Sequence, residues 1–193
     1  MFHSRGMVLK MAGLVIIILL LVTLPAWGAA SKADKQKEVQ KVSRETLAQL
    51  YKAQPSAKKA VESTAGYATF SNFGMKIFLA GTGTGSGLAV DNKTKKNTYM
   101  KMVEVQAGLG IGVKKFRVIF VFETQKALND FINSGWEFGG QTTAAAKSGE
   151  QGTALSGAVS VAPGVWMYQL TDTGLAAEIT GKGTKYYKDS DLN

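Results

Sequence analysis

The run Gly81-Thr82-Gly83-Thr84-Gly85-Ser86-Gly87 places glycines at alternate positions and invites a phosphate-binding reading. The chemistry does not follow. A nucleotide loop of the G-x-x-x-x-G-K-[ST] type needs a lysine and a hydroxyl after the last glycine, and neither stands there. A dinucleotide turn needs G-x-G-x-x-G between a strand and a helix, but position 86 is Ser and a strand pattern follows. Glycine at every second position instead suits a bent strand with one bare face. Nucleophilic catalysis lacks its usual base. There is no Cys, and the single His is His3, inside an N-terminal apolar leader. Ser-His and Cys-His pairs are therefore not expected, and no local motif marks a Ser-Lys dyad. The carboxylates Asp34, Glu38, Glu45, Glu62, Glu104 and Glu123 form no recognisable metal loop, and Asp189 and Asp191 read as solvated. No enzyme activity, cofactor or metal is expected.

The cations remain. Lys93, Lys95 and Lys96 share one polar turn, and Lys114, Lys115 and Arg117 open an apolar strand. Lys182, Lys185 and Lys188 cluster near the C-terminus, and Lys58 and Lys59 fall on a short helix. Each Lys or Arg held close to an anionic membrane is worth ~1 kcal/mol, so three or four give weak, reversible docking. The plain alternative for Lys93–Lys96 is a solubilising turn. Trp166 and Met167 follow a Pro163-Gly164 turn and could enter a membrane interface; a core strand is the favoured alternative.

The chain has 193 residues, with 23 Lys and Arg against 14 Asp and Glu, a net charge of +9. Arg5 and Lys10 precede the apolar run Met11–Leu24, Pro25 and small residues to Ala30. That order predicts a signal peptide over 1–30, cleaved after Gly28 or Ala30; an uncleaved anchor is the alternative. Cleavage would lower the net charge from +9 to +7. An exported, periplasmic or extracellular basic domain favours anionic membrane surfaces and makes nucleic acid an unexpected partner. Asn92-Lys93-Thr94 fits the glycosylation pattern and is read as chance.

The elements that would position these groups follow from periodicity. Residues 31–54 predict a polar amphipathic helix with Val39, Val42, Leu47 and Leu50 on one stripe, able to lie on a membrane or dock on the domain. Pro55 begins a second, short helix to about Thr64. Strands are predicted over Tyr67–Ser71, Ile77–Ala80, Gly83–Val90, Tyr99–Val105 and Leu109–Lys114, then over Trp136–Lys147, Ala154–Val161, Val165–Leu170 and Leu175–Thr180. Between them, Phe116–Gly140 reads as strand, helix and strand. Phe116, Val118, Phe120 and Phe122 alternate onto one face, with Ile119 and Val121 keeping the other apolar. Thr124 caps a helix carrying Leu128 and Phe131, and Asn133-Ser134-Gly135 stops it. The fold expected is α+β: a strongly curved, glycine-rich antiparallel sheet or partly closed barrel, with N-terminal helices covering one end and one inserted helix.

Four stretches in order resemble the SYLF family: Ala60 with Gly66–Phe70, then Gly81–Gly87, Phe120–Gly139, and Tyr168–Ile179 (YQLTDTGLAAEI). The resemblance spans most of 55–193. The family comprises lipid-binding modules, single-domain in bacteria and fused to other domains in eukaryotes, including the yeast actin-patch proteins. It implies peripheral binding to phosphoinositide-like anionic lipids. Actin binding belongs to eukaryotic members and is not expected of an exported chain. Two other readings stay open: a barrel-like carrier of a small apolar ligand, and an envelope structural or stress protein with protein partners. The residues expected to meet lipid are Lys93, Lys95, Lys96, Lys114, Lys115, Arg117, Trp166 and Met167.

Overall fold

The computed structural model describes residues 30–72, 84–104, 116–138, 153–176 and 184–193. The predicted strands Ile77–Ala80 and Leu109–Lys114 lie outside them, as do residues 1–29 of the predicted signal peptide, Lys114, Lys115 and Lys182. Lys32–Asn193 forms one compact unit. Its elements are α1 (Lys32–Ala53), α2 (Ala57–Ser63), β1 (Gly66–Ser71), β2 (Thr84–Asp91), β3 (Asn97–Glu104) and β4 (Arg117–Phe122). Then come α3 (Gln125–Ser134), β5 (Trp136–Phe138), β6 (Val159–Ala162), β7 (Val165–Thr171), β8 (Gly174–Leu175) and β9 (Thr184–Lys188).

The strands form one antiparallel sheet in the order β5-β9-β3-β2-β1-β4-β7-β6, with β8 on β7. The sheet is curled into a half-barrel. In a flat sheet, β4 and β9, four strand steps apart, would lie about 19 Å from each other. Instead the rings of Phe120 on β4 and Tyr186 on β9 are 5.0 Å apart, and Phe120 lies 5.3 Å from Trp136 on β5. Side chains from distant strands meet only on the concave side. Phe70, Met100, Met102, Phe120, Phe122 and Tyr186 pack there, and α3 inserts Leu128 and Phe131 among them. Small residues on β2 make room: a Cβ on Gly87 would enter the Phe70 ring, and one on Gly85 would lie 2.5 Å from Met102. These glycines stand within a strand, as the alternating pattern predicts.

The central segment follows its sequence pattern. Phe120 is buried among the concave rings, while Ile119 and Val121 pack on the convex side beneath α1 and α2. The Thr124 hydroxyl accepts a hydrogen bond from the Ala127 N–H at 3.2 Å, capping α3. Gly135, at φ +69°, ends it, and a Cβ there would meet the Tyr186 carbonyl at 2.6 Å. Only glycine fits both conditions.

Two expectations are corrected. The helices cover a face of the sheet and not an end: α1 lies across the convex side, its Val39 and Val42 packing near Leu88, Val90 and Tyr99, and its Leu50 near Ile119 and Tyr168. Residues Ala154–Gly157 are turn, and strand begins at Val159. The reason is local. Ser156 N–H bonds Thr153 O, Ala158 N–H bonds Leu155 O, and Gly157 takes φ +78°. One strand was not predicted: residues Thr184–Lys188 form β9 between β3 and β5.

The residues after β9 close down on the convex side. Asp189, expected to be solvated, is 1 % exposed. Lys101 reaches it at 3.0 Å and Asp191 at 2.9 Å, and the Asp189 carboxylate also accepts from the Asp191 N–H. Burial without such partners would be costly, and here the charge is matched. Asn193 extends the edge of β3, donating to Tyr99 O and accepting from Tyr99 N–H, while Gln36 of α1 donates to Leu192 O. Helix α1 is thereby tied to the sheet, and its narrow apolar stripe is spent on the domain.

Candidate functional site

The register fixes which sequence-predicted residues share a place. Gly66 pairs with both Asp91 and Phe122, so the Asp91–Lys96 turn lies at one end of the sheet, beside the start of β1 and the end of β4. Ser71 pairs with Arg117, which therefore sits at the opposite end. Five residues of strand, about 17 Å, separate the two. The lysine turn and Arg117 do not form one patch.

At the hairpin end, Lys93, Lys95 and Lys96 are all exposed. Their backbone is tightly specified. The Asp91 carboxylate accepts the N–H groups of Lys93 at 2.8 Å and Thr94 at 2.9 Å, the local closure that aspartate favours at turns. Its other oxygen accepts from the Gln125 amide at 2.8 Å, which links the turn to α3. These bonds, led by the Thr94 N–H, hold the Asp91 carboxyl below its ordinary range. Lys95 takes the left-handed conformation, φ 58°, and its N–H bonds Asp91 O at 2.8 Å.

Asn92 anchors the turn from the other side. Its amide donates to Val61 O at 2.7 Å and Thr64 O at 2.9 Å, at the end of α2, and its N–H bonds Ala65 O. The nitrogen that a glycan would need is thus engaged in the fold. Sequence reasoning saw a polar turn here but missed the roles of Asp91, Asn92 and Gln125. The signal was present in part: Asp-Asn opening a turn is the pairing that closes on its own backbone.

At the other end, Arg117 is half-buried, and its guanidinium donates to the Gln49 carboxamide of α1. It borders a cleft of about 490 Å³ formed where the end of α1, the start of β4 and the β7–β8 turn converge. Phe116 and Leu170 form its apolar part, both almost wholly buried. Thr171, Asp172 and Thr173 make the exposed lip.

Trp166 and Met167 are not an exposed pair. Adjacent strand residues point to opposite faces. Met167, 2 % exposed, lies in the concave core, and Trp166 packs half-buried against the convex cluster. Met167 is therefore withdrawn from the surface. Of the other cations, Lys185 pairs with Glu137 at 3.1 Å, and Lys58 and Glu62 are 3.9 Å apart on α2. Both pairs are exposed and contribute little to stability. Tyr168 donates to Ala154 O, and burial pushes its phenol up to about 12, so it stays protonated at neutral pH. Among the described residues no group of three or more His, Asp or Glu could hold a metal ion, and no helix is long and apolar enough to cross a membrane.

A half-barrel covered by helices, with exposed cations on a braced turn, defines an α+β module with a basic hairpin. A family model described as Ysc84, Las17-binding protein actin regulator, matches residues 103–193. Over these residues the chain matches this family, the SYLF family. It is also 34 % identical over 146 residues to Beta cell expansion factor A of Aeromonas veronii, an alignment covering 76 % of this chain and 54 % of that protein. The chain thus spans about half the length of that curated relative.

Proposed function

We propose that the chain is an exported, non-enzymatic lipid-binding protein that docks peripherally on anionic membrane surfaces through the Asp91–Lys96 turn. The match to the SYLF family supports a lipid-binding role in general. The observation that carries the finer reading is the turn itself. Three exposed lysines project from a backbone braced by Asp91, Asn92 and Gln125. A braced turn loses little backbone entropy on contact, so more of the electrostatic attraction appears as affinity. The overall excess of basic residues adds long-range attraction.

The concave interior is the place where a carrier would enclose an apolar ligand, and aromatic rings from β1, β4, α3, β5 and β9 already fill it. Surface contact is favoured over enclosure on that ground. The family description speaks of actin regulation. In our reading, export to a periplasmic or extracellular location keeps this chain from cytoplasmic actin.

Vesicle flotation tests the reading. The protein is expected to float with phosphatidylcholine vesicles containing phosphatidylglycerol and to stay behind with phosphatidylcholine alone. Replacing Lys93, Lys95 and Lys96 with Glu is expected to abolish flotation. Flotation that persists undiminished in that variant would mean another surface makes the contact.

A further inference from the structure

We infer that α1 is a strap that opens from the convex side as one unit while the half-barrel stays folded, and that the segment Asp189–Asn193 is its latch. The inference is independent of the membrane reading, because it concerns how the helix is held and not what the lysine turn meets.

An amphipathic helix is normally fixed to a sheet by a continuous apolar stripe. The stripe of α1 is broken in its middle. Ser43 and Thr46 line one gap with Thr69, Ser71 and Ser86 of β1 and β2, and all five are buried. The Thr69 hydroxyl donates to Ser43 at 2.8 Å, but the Thr46 hydroxyl has no partner among the described residues. The gap has no room for a water molecule that could serve it. A hydroxyl paired with a hydroxyl exchanges that bond for one to water at small net cost, and an unpaired one gains a bond when water reaches it. Separating the helix from the sheet along this seam therefore costs little.

Apolar packing holds α1 on either side of the seam. Val39 and Val42 pack with Leu88, Val90, Tyr99 and Leu192, and Leu50 packs with Ile119 and Tyr168. The first of these contacts depends on the latch. Leu192 belongs to it, and the carbonyls of Asn193 and Leu192 accept from Lys32 and Gln36, each at 2.7 Å. Lys101 holds the latch down, 3.0 Å from Asp189 and 2.9 Å from Asp191. Among the described residues, the concave cluster around Phe70 and Phe120 contains none from α1, and the sheet ladder runs without it. The helix can leave without disturbing either, which is the condition for local opening. Gln54-Pro55-Ser56, between α1 and α2, is the hinge.

The chain has no Cys, so Thr46→Cys carries its only thiol. Position 46 is fully buried, and a thiol reagent reaches it only when α1 opens. Ala68→Cys, fully buried in the concave core, reports unfolding of the half-barrel. In native buffer the full chain with Thr46→Cys is expected to react with a chromogenic thiol reagent at least about tenfold faster than Ala68→Cys, after correction for any difference in urea midpoint. Adding Lys101→Gln is expected to speed labelling at position 46 by about tenfold, through loss of the ion pairs of the latch.

Equal labelling at the two positions overturns the strap, since α1 would then leave only when the whole domain unfolds. An unchanged rate at position 46 in Lys101→Gln overturns the latch. Should a cysteine variant not fold, hydrogen exchange of the parent chain decides the matter. Amides of α1 are expected to exchange at least about tenfold faster than those of β1 and β4, without dependence on low concentrations of urea. Exchange of all three elements together, with the same urea dependence, overturns the proposal.

Discussion

At one end of the sheet, Lys93, Lys95 and Lys96 stand in water on a turn whose backbone is fixed from three directions. At the other end, Arg117 is half-buried, steered by Gln49, and set against Phe116 and Leu170. The same positive charge stands in two different settings. Exposed ammonium groups act at long range, additively and without shape, which suits a surface. A partly desolvated guanidinium that donates to a neighbouring carboxamide acts at short range with a fixed geometry. Burial, not charge count, separates the two.

The largest expected effect falls on both ends together. Phe120→Ala removes the ring that touches Phe70, Phe122, Phe131, Trp136 and Tyr186 across the curl. A loss of about 3–5 kcal/mol in unfolding free energy is expected, measured by urea denaturation. Loss at only one end would mean that the two ends do not share this core. The next effect divides them. Neutralising Lys93, Lys95 and Lys96 to Gln removes ~3 kcal/mol of membrane attraction, on the order of 100-fold in vesicle partitioning. The urea midpoint is expected to be unchanged, and a parallel loss of stability would mean that the lysines also hold the fold.

How much of this could be read in the sequence depended on distance along the chain. The β4–α3–β5 unit was legible because its signals are local: alternation through Phe122, a hydroxyl at Thr124, and a glycine at 135. The lysine turn was legible as charge, but its bracing was not. Asn92 reaches back to Val61, and Gln125 to Asp91, across more than 30 residues in each case. Asp189 read as solvated because its partner, Lys101, belongs to another strand. Strand β9 was missed because it is short and largely polar; the inward Thr184 and Tyr186 against outward Lys185 and Tyr187 were its faint signal. The cleft left no motif at all, since three separate segments build it.

Salt sharpens the contrast at a smaller scale. Raising ionic strength from about 0.05 M to about 0.5 M shortens the screening length to a few ångströms, and vesicle partitioning is expected to fall by about tenfold or more. The stability difference between the parent and Gln49→Ala is expected to hold over the same range, because Arg117 and Gln49 meet at contact distance. Equal salt dependence at both ends would mean that Arg117 acts as solvated charge, like the lysines.

The smallest effect is the most discriminating, because charge and geometry predict opposite signs. Asp91→Ala raises the net charge by one, so attraction alone predicts tighter vesicle binding. It also removes the acceptor for Lys93 N–H, Thr94 N–H and the Gln125 amide. If the braced turn matters, partitioning weakens by a few-fold, and the urea midpoint falls as the hydrogen bonds are lost. The pH dependence follows from the direction of the Asp91 shift. A carboxyl held below its ordinary range stabilises the fold above that range, and the contribution is lost as pH falls through the lowered value. The stability gap between the parent and Asp91→Ala should therefore hold at neutral pH and narrow in strong acid. Tighter vesicle binding by Asp91→Ala at neutral pH would show that the lysines work as unshaped charge, and the two ends of the sheet would then differ by burial but not by preorganisation.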